Sequence, residues 1–248
     1  MSDLHVVALS GGKDSTAMAL RLAEVEPRAY TYVCTPTGDE LPAMYAHWRD
    51  LGDRLGGQVI PVIGGTLNGL IEQFHALPNF RQRWCTRLLK IEPYAAWLQA
   101  QIAQHERVIS YVGLRYDEPE REGGDYSRVL GVESRFPLRE WEWEVSDVWS
   151  YLATQGVAIP PRTDCARCFW QSLGEWYALW RDHPEVYADA ERQEDLIGHT
   201  FRSDRRDSWP AGLKELRHKF EQDIVPLRGA NDIQGKLWAE SKCRVCRL

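Results

Sequence analysis

Ser10-Gly11-Gly12-Lys13-Asp14-Ser15-Thr16 brings together the residue types of an anion cradle. The glycine pair permits a tight turn, Ser15 and Thr16 add hydroxyl donors, and Lys13 adds a positive charge. The stretch follows the apolar run Val6-Val7-Ala8-Leu9 and leads into the helix-forming Ala17-Met18-Ala19-Leu20. A strand, a turn and a helix N-terminus in that order aim successive backbone N–H groups and the positive end of the helix dipole at one anion. The pattern is not G-x-x-x-x-G-K-[ST], because Lys13 follows the glycine pair directly. Ser-Gly-Gly alone would be explained by an ordinary helix-capping turn. The full run after a buried-type strand points to a nucleotide phosphate.

Three further groups have spacing that chemistry can use. Gly113-Leu114-Arg115-Tyr116-Asp117-Glu118-Pro119-Glu120-Arg121 follows an apolar run and places Arg115 and Arg121 around Glu118. Two guanidinium groups oriented by a carboxylate suit a phosphate clamp, the bland alternative being a solvated charged loop. Thr37-Gly38-Asp39-Glu40 ends a second apolar run, where it can contact base or ribose or simply start a helix. Cys165-Ala166-Arg167-Cys168 and Cys243-Arg244-Val245-Cys246 are C-x-x-C pairs among six cysteines. Each pair presents two thiolates from one turn, and two pairs complete a tetrahedral metal site. Cys34, inside an apolar run, reads as a small buried hydrophobe.

Ser10 to Ser15 resembles the SGGxDS loop of the PP-loop ATP pyrophosphatases, which use a Rossmann-like sheet and cleave ATP between its α- and β-phosphates. The downstream segments are similar to the phosphoadenosine phosphosulfate (PAPS) reductase-like branch and the DNA-phosphorothioation enzymes. Gly113 to Arg121 resembles their G-x-R-x-x-E-S-x-x-R, with Pro119 for serine and Arg121 one residue early. Arg83-Trp84-Cys85-Thr86 resembles the cysteine pair of adenylyl-sulfate reductases, with Thr86 in the second place, and Lys90-Ile91-Glu92-Pro93 their K-[VI]-x-P. Pro137-Leu138-Arg139-Glu140-Trp141 and Asp147-Val148-Trp149 match further family segments, so the likeness spans about residues 5–170. In the T-G segment the preceding acidic position holds Pro36, leaving Asp39 or Glu40 as replacements.

The resemblance implies ATP with Mg²⁺ as ligands, held by Ser10, Gly11, Gly12, Lys13, Asp14, Ser15, Thr16, Thr37, Gly38, Arg115 and Glu118. Lys13, Asp14, Arg115 and Arg121 are its candidate catalytic residues. It also implies a [4Fe-4S] cluster, with Zn²⁺ as the alternative. The ligands are Cys85, Cys165 and Cys168 with Cys243 or Cys246, or else the two C-x-x-C pairs. The implied function is adenylation of an acceptor, a nucleic acid or a small molecule, with pyrophosphate release and sulfur transfer. A sulfur donor or reductant protein would be a partner. Two alternatives stand beside it: a sulfonucleotide reductase giving sulfite, and a nucleotide-binding subunit of a modification complex.

These residues need a scaffold, and the hydrophobic pattern supplies one. Strand-like runs at residues 5–9, 29–35, 58–63 and 108–113 alternate with helical spacing at 16–23, 41–55, 67–74 and 91–104. This predicts an α/β, Rossmann-like, mainly parallel sheet with flanking helices. Residues 116–127, with Glu-Pro and Gly-Gly breakers, read as a mobile loop over the carboxyl edge of the sheet. Residues 128–137 read as extended, and 145–154 as a helix with Ser146 or Asp147 near its start. Helices rich in Trp and Tyr follow at 173–180, 184–196 and 211–224, giving a nucleotide-binding domain at 1–160 and a helical, cysteine-containing subdomain at 161–248. Arg202, Arg205 and Arg206 read as a solvated basic cluster. The composition, 44% hydrophobic and 27% charged over 248 residues, is that of a globular protein. With no membrane-length apolar run and no signal-peptide layout, the expected location is the cytoplasm. A net charge of −6 argues against a general nucleic-acid coat without excluding a local arginine contact.

Overall fold

The structure is a computed structural model and describes residues 2–121 and 124–226. Strands β1 (Leu4–Ala8), β2 (Tyr30–Cys34), β3 (Val59–Pro61), β4 (Val108–Tyr111) and β5 (Val132–Arg135) form one sheet in the order β3-β2-β1-β4-β5. All pairings are parallel, with Val7 of β1 opposite Tyr32 of β2 and Tyr111 of β4. Parallel neighbours require crossovers. These run through α1 (Lys13–Val25), α2 (Pro42–Arg54), the α3 (Leu67–Phe74) to α5 (Glu92–Ile102) stretch, and the segment between β4 and β5. This is the Rossmann-like α/β fold that the alternating pattern predicts.

Strand β1 is central, and its side chains alternate between two cores. Val7 packs with Ala17, Met18 and Leu22 of α1 and with Val148 and Leu152 of α7 (Val145–Thr154). Val6 faces Tyr94 and Leu98 of α5 together with Val108 and Val132. After β1 the chain moves outward through β2 and β3, and it then returns to place β4 on the other side of β1. The loops following β1 and β4 therefore leave adjacent strands at the carboxyl edge, the edge where open α/β sheets bind their ligands.

Three helices, α8 (Leu173–Asp182), α9 (Pro184–Ile197) and α10 (Leu213–Glu221), form the C-terminal part of the described chain. Their core is shared with the sheet half: Trp176, Tyr187, Leu216 and Phe220 cluster with Leu41, Leu67, Ile71 and Leu89.

Some local expectations change. Helical structure begins at α4 (Trp84–Thr86) and passes through a π-helical turn, Arg87–Ile91, before α5. Pro93 has no N–H for the carbonyl four residues back, and the widened turn, with Glu92 N–H bonded to the Arg87 carbonyl, accommodates it. Only Val132–Arg135 of the segment expected to be extended is a strand. Helix α7 covers the residues expected, with Ser146 and Asp147 in its first turn, and Glu144 caps it through a reciprocal box with Asp147.

Candidate functional site

The turn after β1 is built to present the start of α1. Gly11 has φ +82°, and a Cβ there would lie 2.1 Å from Cε of Met44, so both conformation and space demand glycine. The hydroxyls of Ser10 and Ser15 share a 2.9 Å hydrogen bond, and Ser15 Oγ accepts the Gly11 N–H at 3.1 Å. Trp48 Nε1 donates to the Ser10 carbonyl at 3.2 Å, tying the turn to α2. Gly12 is the N-cap of α1 and supplies no side-chain cap. The leading N–H groups of a helix lack intrahelical acceptors, so this end is suited to an anion.

The loop after β4 lies directly against that helix end. A Cβ on Gly113 would come within 3.1 Å of Asp14 C and Ser15 N, so the absent side chain lets two backbones meet. Two residues on, Arg115 is 2% exposed and serves as a carboxylate hub. Its Nη1 reaches both Asp14 oxygens at 3.0 Å, its Nε reaches Asp117 at 2.8 Å, and its Nη2 reaches Glu118 at 3.2 Å. Burial alone would lower the guanidinium pKa, but Asp14, Asp117 and Glu118 outweigh burial and raise it. Arg115 is thus spent on orienting Asp14 and Glu118. Arg121 Nη1 bonds the other Glu118 oxygen at 2.8 Å, and Lys13 Nζ lies 3.1 Å from Asp14. The structure gathers Lys13, Asp14, Arg115, Glu118 and Arg121 into one chain of ion pairs.

Residues 116–121, the first part of the 116–127 segment read as a loop, are irregular and hydrogen-bonded to the region of α6 (Pro137–Glu140). Arg139, on that single turn, donates to the carbonyls of Arg115, Glu118 and Arg121 at 3.3, 2.7 and 2.7 Å. The Tyr116 N–H bonds the Trp143 carbonyl at 3.0 Å.

After β2, Thr37 is fully buried, and Glu40 closes its own loop. Its carboxylate accepts the N–H groups of Thr37 and Gly38, at 2.8 and 3.0 Å, and the Thr37 hydroxyl at 2.7 Å. Asp39 pairs with Arg167 through Nε at 2.6 Å and through Nη2, while the Ala166 N–H bonds its carbonyl at 2.6 Å. Burial raises the Asp39 pKa against the pull of Arg167. Neither carboxylate caps α2, whose N-cap is Leu41. A cleft of about 370 Å³ opens here between Gly38, Asp39, Glu40 and Arg167 on one side and Glu185 and Asp189 on the other; residues 10–16 do not line it.

The C-x-x-C turn is drawn toward both loops. Cys165 Sγ lies 3.2 Å from the Thr37 hydroxyl, and Thr163 Oγ1 lies 3.7 Å from where a Gly12 Cβ would be. Burial pushes the Cys165 thiol up to about 11, raises Cys168 and Cys85 as well, and pushes Cys34 up to about 12. Lys90 acts on both Cys85 and Cys165, favouring their thiolates. Among the described residues, no three His, Cys, Asp or Glu side chains are gathered as metal ligands. Both expected ligand sets take at least one sulfur from Cys243 or Cys246, so neither set lies wholly within these residues. Cys243 and Cys246 lie outside the described residues.

Arg202 is a further correction: it is 2% exposed, bonded to Asp207 at 2.8 Å and to the Pro210 carbonyl. Arg205 and Arg206 are exposed, as read, and Arg206 also donates to the carbonyls of Phe169 and Trp170 at 3.3 and 3.1 Å. Sequence reasoning missed Arg139, Thr163 and Arg167 as parts of the site. Arg139 falls in a segment that resembles the family, yet bonding to carbonyls leaves no spacing signature.

Residues 4–176 match the family model described as the phosphoadenosine phosphosulfate reductase domain. The chain belongs to this family. No match was found among curated protein sequences. Among solved structures, a phosphoadenylyl-sulfate (PAPS) reductase from Candida auris, in a phosphate complex, is similar at 13% identity and TM-score 0.46, over 64% of this chain and 75% of that one. The PAPS reductase family match takes in the turn after β1, the loop after β4 and the first C-x-x-C pair, and it ends within α8. No helix of the described residues is long and apolar enough to cross a membrane.

Proposed function

We propose that this PAPS reductase-family chain binds ATP at the carboxyl edge of β1 and β4 and transfers its adenylyl group to an acceptor, a step linked to sulfur transfer. The observation that carries the reading is the intact Ser10–Thr16 stretch, whose Asp14 is bonded by Arg115 and Lys13. In the inner set the cations Lys13, Arg115 and Arg121 are balanced by Asp14, Asp117 and Glu118. A locally neutral site needs an added cation to hold a polyphosphate, and Mg²⁺ bound through one carboxylate, phosphate oxygens and water meets that need. Asp14 is the carboxylate that would hold it. When bound, the ion would spread the charge that builds on the departing pyrophosphate.

The chain's own residues do the rest. The α1 N-terminus and the Gly11–Gly12 turn would take the β- and γ-phosphates, with Lys13 and Arg121 as the cations nearest them. An acceptor oxygen attacks the α-phosphorus, the bond from phosphorus to the bridging oxygen breaks, and pyrophosphate leaves with the electron pair. A sulfur donor from outside the chain then displaces AMP from the adenylated acceptor. No step is assigned to a metal cluster. Incubation with α-labelled ATP and candidate acceptors is expected to yield AMP and pyrophosphate. Lys13→Ala and Asp14→Asn should each slow the reaction on the order of 100-fold; full activity in both variants would sink the reading.

Family membership favours a second reading, a sulfonucleotide reductase in which a thiolate attacks the sulfonyl sulfur. The raised pKa values of Cys34, Cys85, Cys165 and Cys168 make these thiols poor nucleophiles at neutral pH, which leaves Cys243 and Cys246, and of these Cys246 is the one that resembles the family's C-terminal nucleophile. Sulfite release from a sulfonucleotide, lost in Cys246→Ser, would establish it over the first.

A further inference from the structure

The backbone of residues 115–121 makes two successive turns, with the Glu118 N–H on the Arg115 carbonyl at 3.4 Å and the Arg121 N–H on the Glu118 carbonyl at 3.1 Å. The carbonyls of residues 115, 118 and 121 thus recur one turn apart, and all three meet the Arg139 guanidinium. The guanidinium meets the three acceptors from two nitrogens of one fixed plane, Nε on residue 115 and Nη2 on residues 118 and 121, whereas the three donors of a lysine ammonium all sit on a single atom and offer no such fork. The side chains of the same three residues are Arg115, Glu118 and Arg121, the links that connect the loop to Asp14 at the head of α1. The backbone that Arg139 fixes is therefore the backbone whose side chains face the anion end of the helix. No hydrogen bond places Arg139 on residues 10–16, so any influence it has on a bound phosphate passes through the loop.

Ion pairs hold the loop from its other side, Arg115 with Asp14 and both Arg115 and Arg121 with Glu118. It belongs to neither β4, which ends at Tyr111, nor β5, which begins at Val132, and its attachment to the segment after α6 rests on the Tyr116 N–H and the Arg139 fork. We propose that Arg139 is a positioning residue for nucleotide binding: by clamping three carbonyls it sets the register of Arg115, Glu118 and Arg121 against Asp14. This rests on the reading of the turn after β1 as a nucleotide phosphate site, and it extends that reading to a side chain outside the site.

The test measures affinity by calorimetry for ATP with Mg²⁺ and for adenosine 3′,5′-bisphosphate, side by side, in wild type, Arg139→Ala, Arg139→Lys, Arg121→Ala and Arg139→Ala/Arg121→Ala. The thermal midpoint is recorded for each. Arg139→Ala is expected to weaken binding of the nucleotide that the wild type takes by about tenfold to thirtyfold, with Arg139→Lys between it and wild type. The double variant should lose little beyond Arg121→Ala, because both substitutions remove one function. Fully additive losses would overturn the inference, and so would a lowered midpoint with unchanged affinity, the mark of a purely structural staple. If the bisphosphate binds and ATP does not, the adenylation reading falls while the Arg139 comparison proceeds with the bisphosphate. Wild type that binds neither overturns both.

Discussion

Glu194 on α9 accepts the N–H groups of Phe201 and Leu213, at 2.8 and 2.7 Å, and so ties α9 to the following loop and to the first residue of α10. Burial pushes its carboxyl from 4.5 up to about 7, with the two N–H groups pulling the other way. Because the folded value lies above the unfolded one, the native chain takes up a proton that the unfolded chain does not. Stability should therefore rise as pH falls from about 8 toward the unfolded value, by about 3 kcal/mol over the full window. Thermal midpoints of wild type are expected to climb between pH 8 and pH 5.5 relative to those of Glu194→Gln, which cannot titrate. Parallel curves for the two proteins would count against the assignment. At neutral pH, Glu194→Gln should still cost about 1–3 kcal/mol, since an amide NH₂ turned toward one N–H leaves that donor without an acceptor. The Arg115 hub illustrates a different residue-scale lesson. A guanidinium that reads from sequence as a phosphate clamp is saturated by carboxylates, which shifts its role toward holding Asp14.

At the scale of elements, the meeting of β4 with α1 depends on one missing side chain. In Gly113→Ala the new Cβ would press within 3.1 Å of the Asp14 and Ser15 backbone, and neither helix nor strand end yields cheaply. The variant should lose about 1–3 kcal/mol of stability and at least tenfold in nucleotide affinity, read by denaturant titration and calorimetry. Unchanged affinity would show that the two loops need not touch for binding. The strands, α1 and its turn were legible because they obey strong local rules: uninterrupted apolar runs for strands buried on both faces, and paired glycines before a helix. What was not legible depends on partners distant in sequence. Arg139 and Arg167 look like any surface arginine until the fold sets them on carbonyls or on Asp39, and Arg202 was read as solvated because charge pattern carries no information about burial. The early helical start at Trp84 escaped because Pro93 reads as a helix beginning, whereas the π turn carries the helix past it.

For the molecule as a whole, the question is whether the helices after residue 160 stand apart from the sheet. The cluster around Trp176 argues that they do not. Trp176 is fully buried, and its core joins Leu41, Leu67, Ile71 and Leu89 from the sheet half to Leu179, Tyr187, Leu213, Leu216 and Phe220 from α8 to α10. The buried Arg167 adds a polar tie, bonding Asp39 after β2 and Asp189 on α9. Neither half can expose its share of this surface without the other losing its cover, so the described chain should unfold as one cooperative unit. Far-UV circular dichroism, which weights the helices, and tryptophan fluorescence are expected to give coincident urea transitions. Trp176→Ala should lower stability by about 3–5 kcal/mol and move both transitions together. A first transition confined to the helical signal, with ATP binding retained beyond it, would instead show that the sheet carries the nucleotide site on its own. Coincident transitions, with binding lost at the same midpoint, would mean that the Thr163 and Cys165 contacts to the turns after β1 and β2 are held in place by the same core that holds the helices.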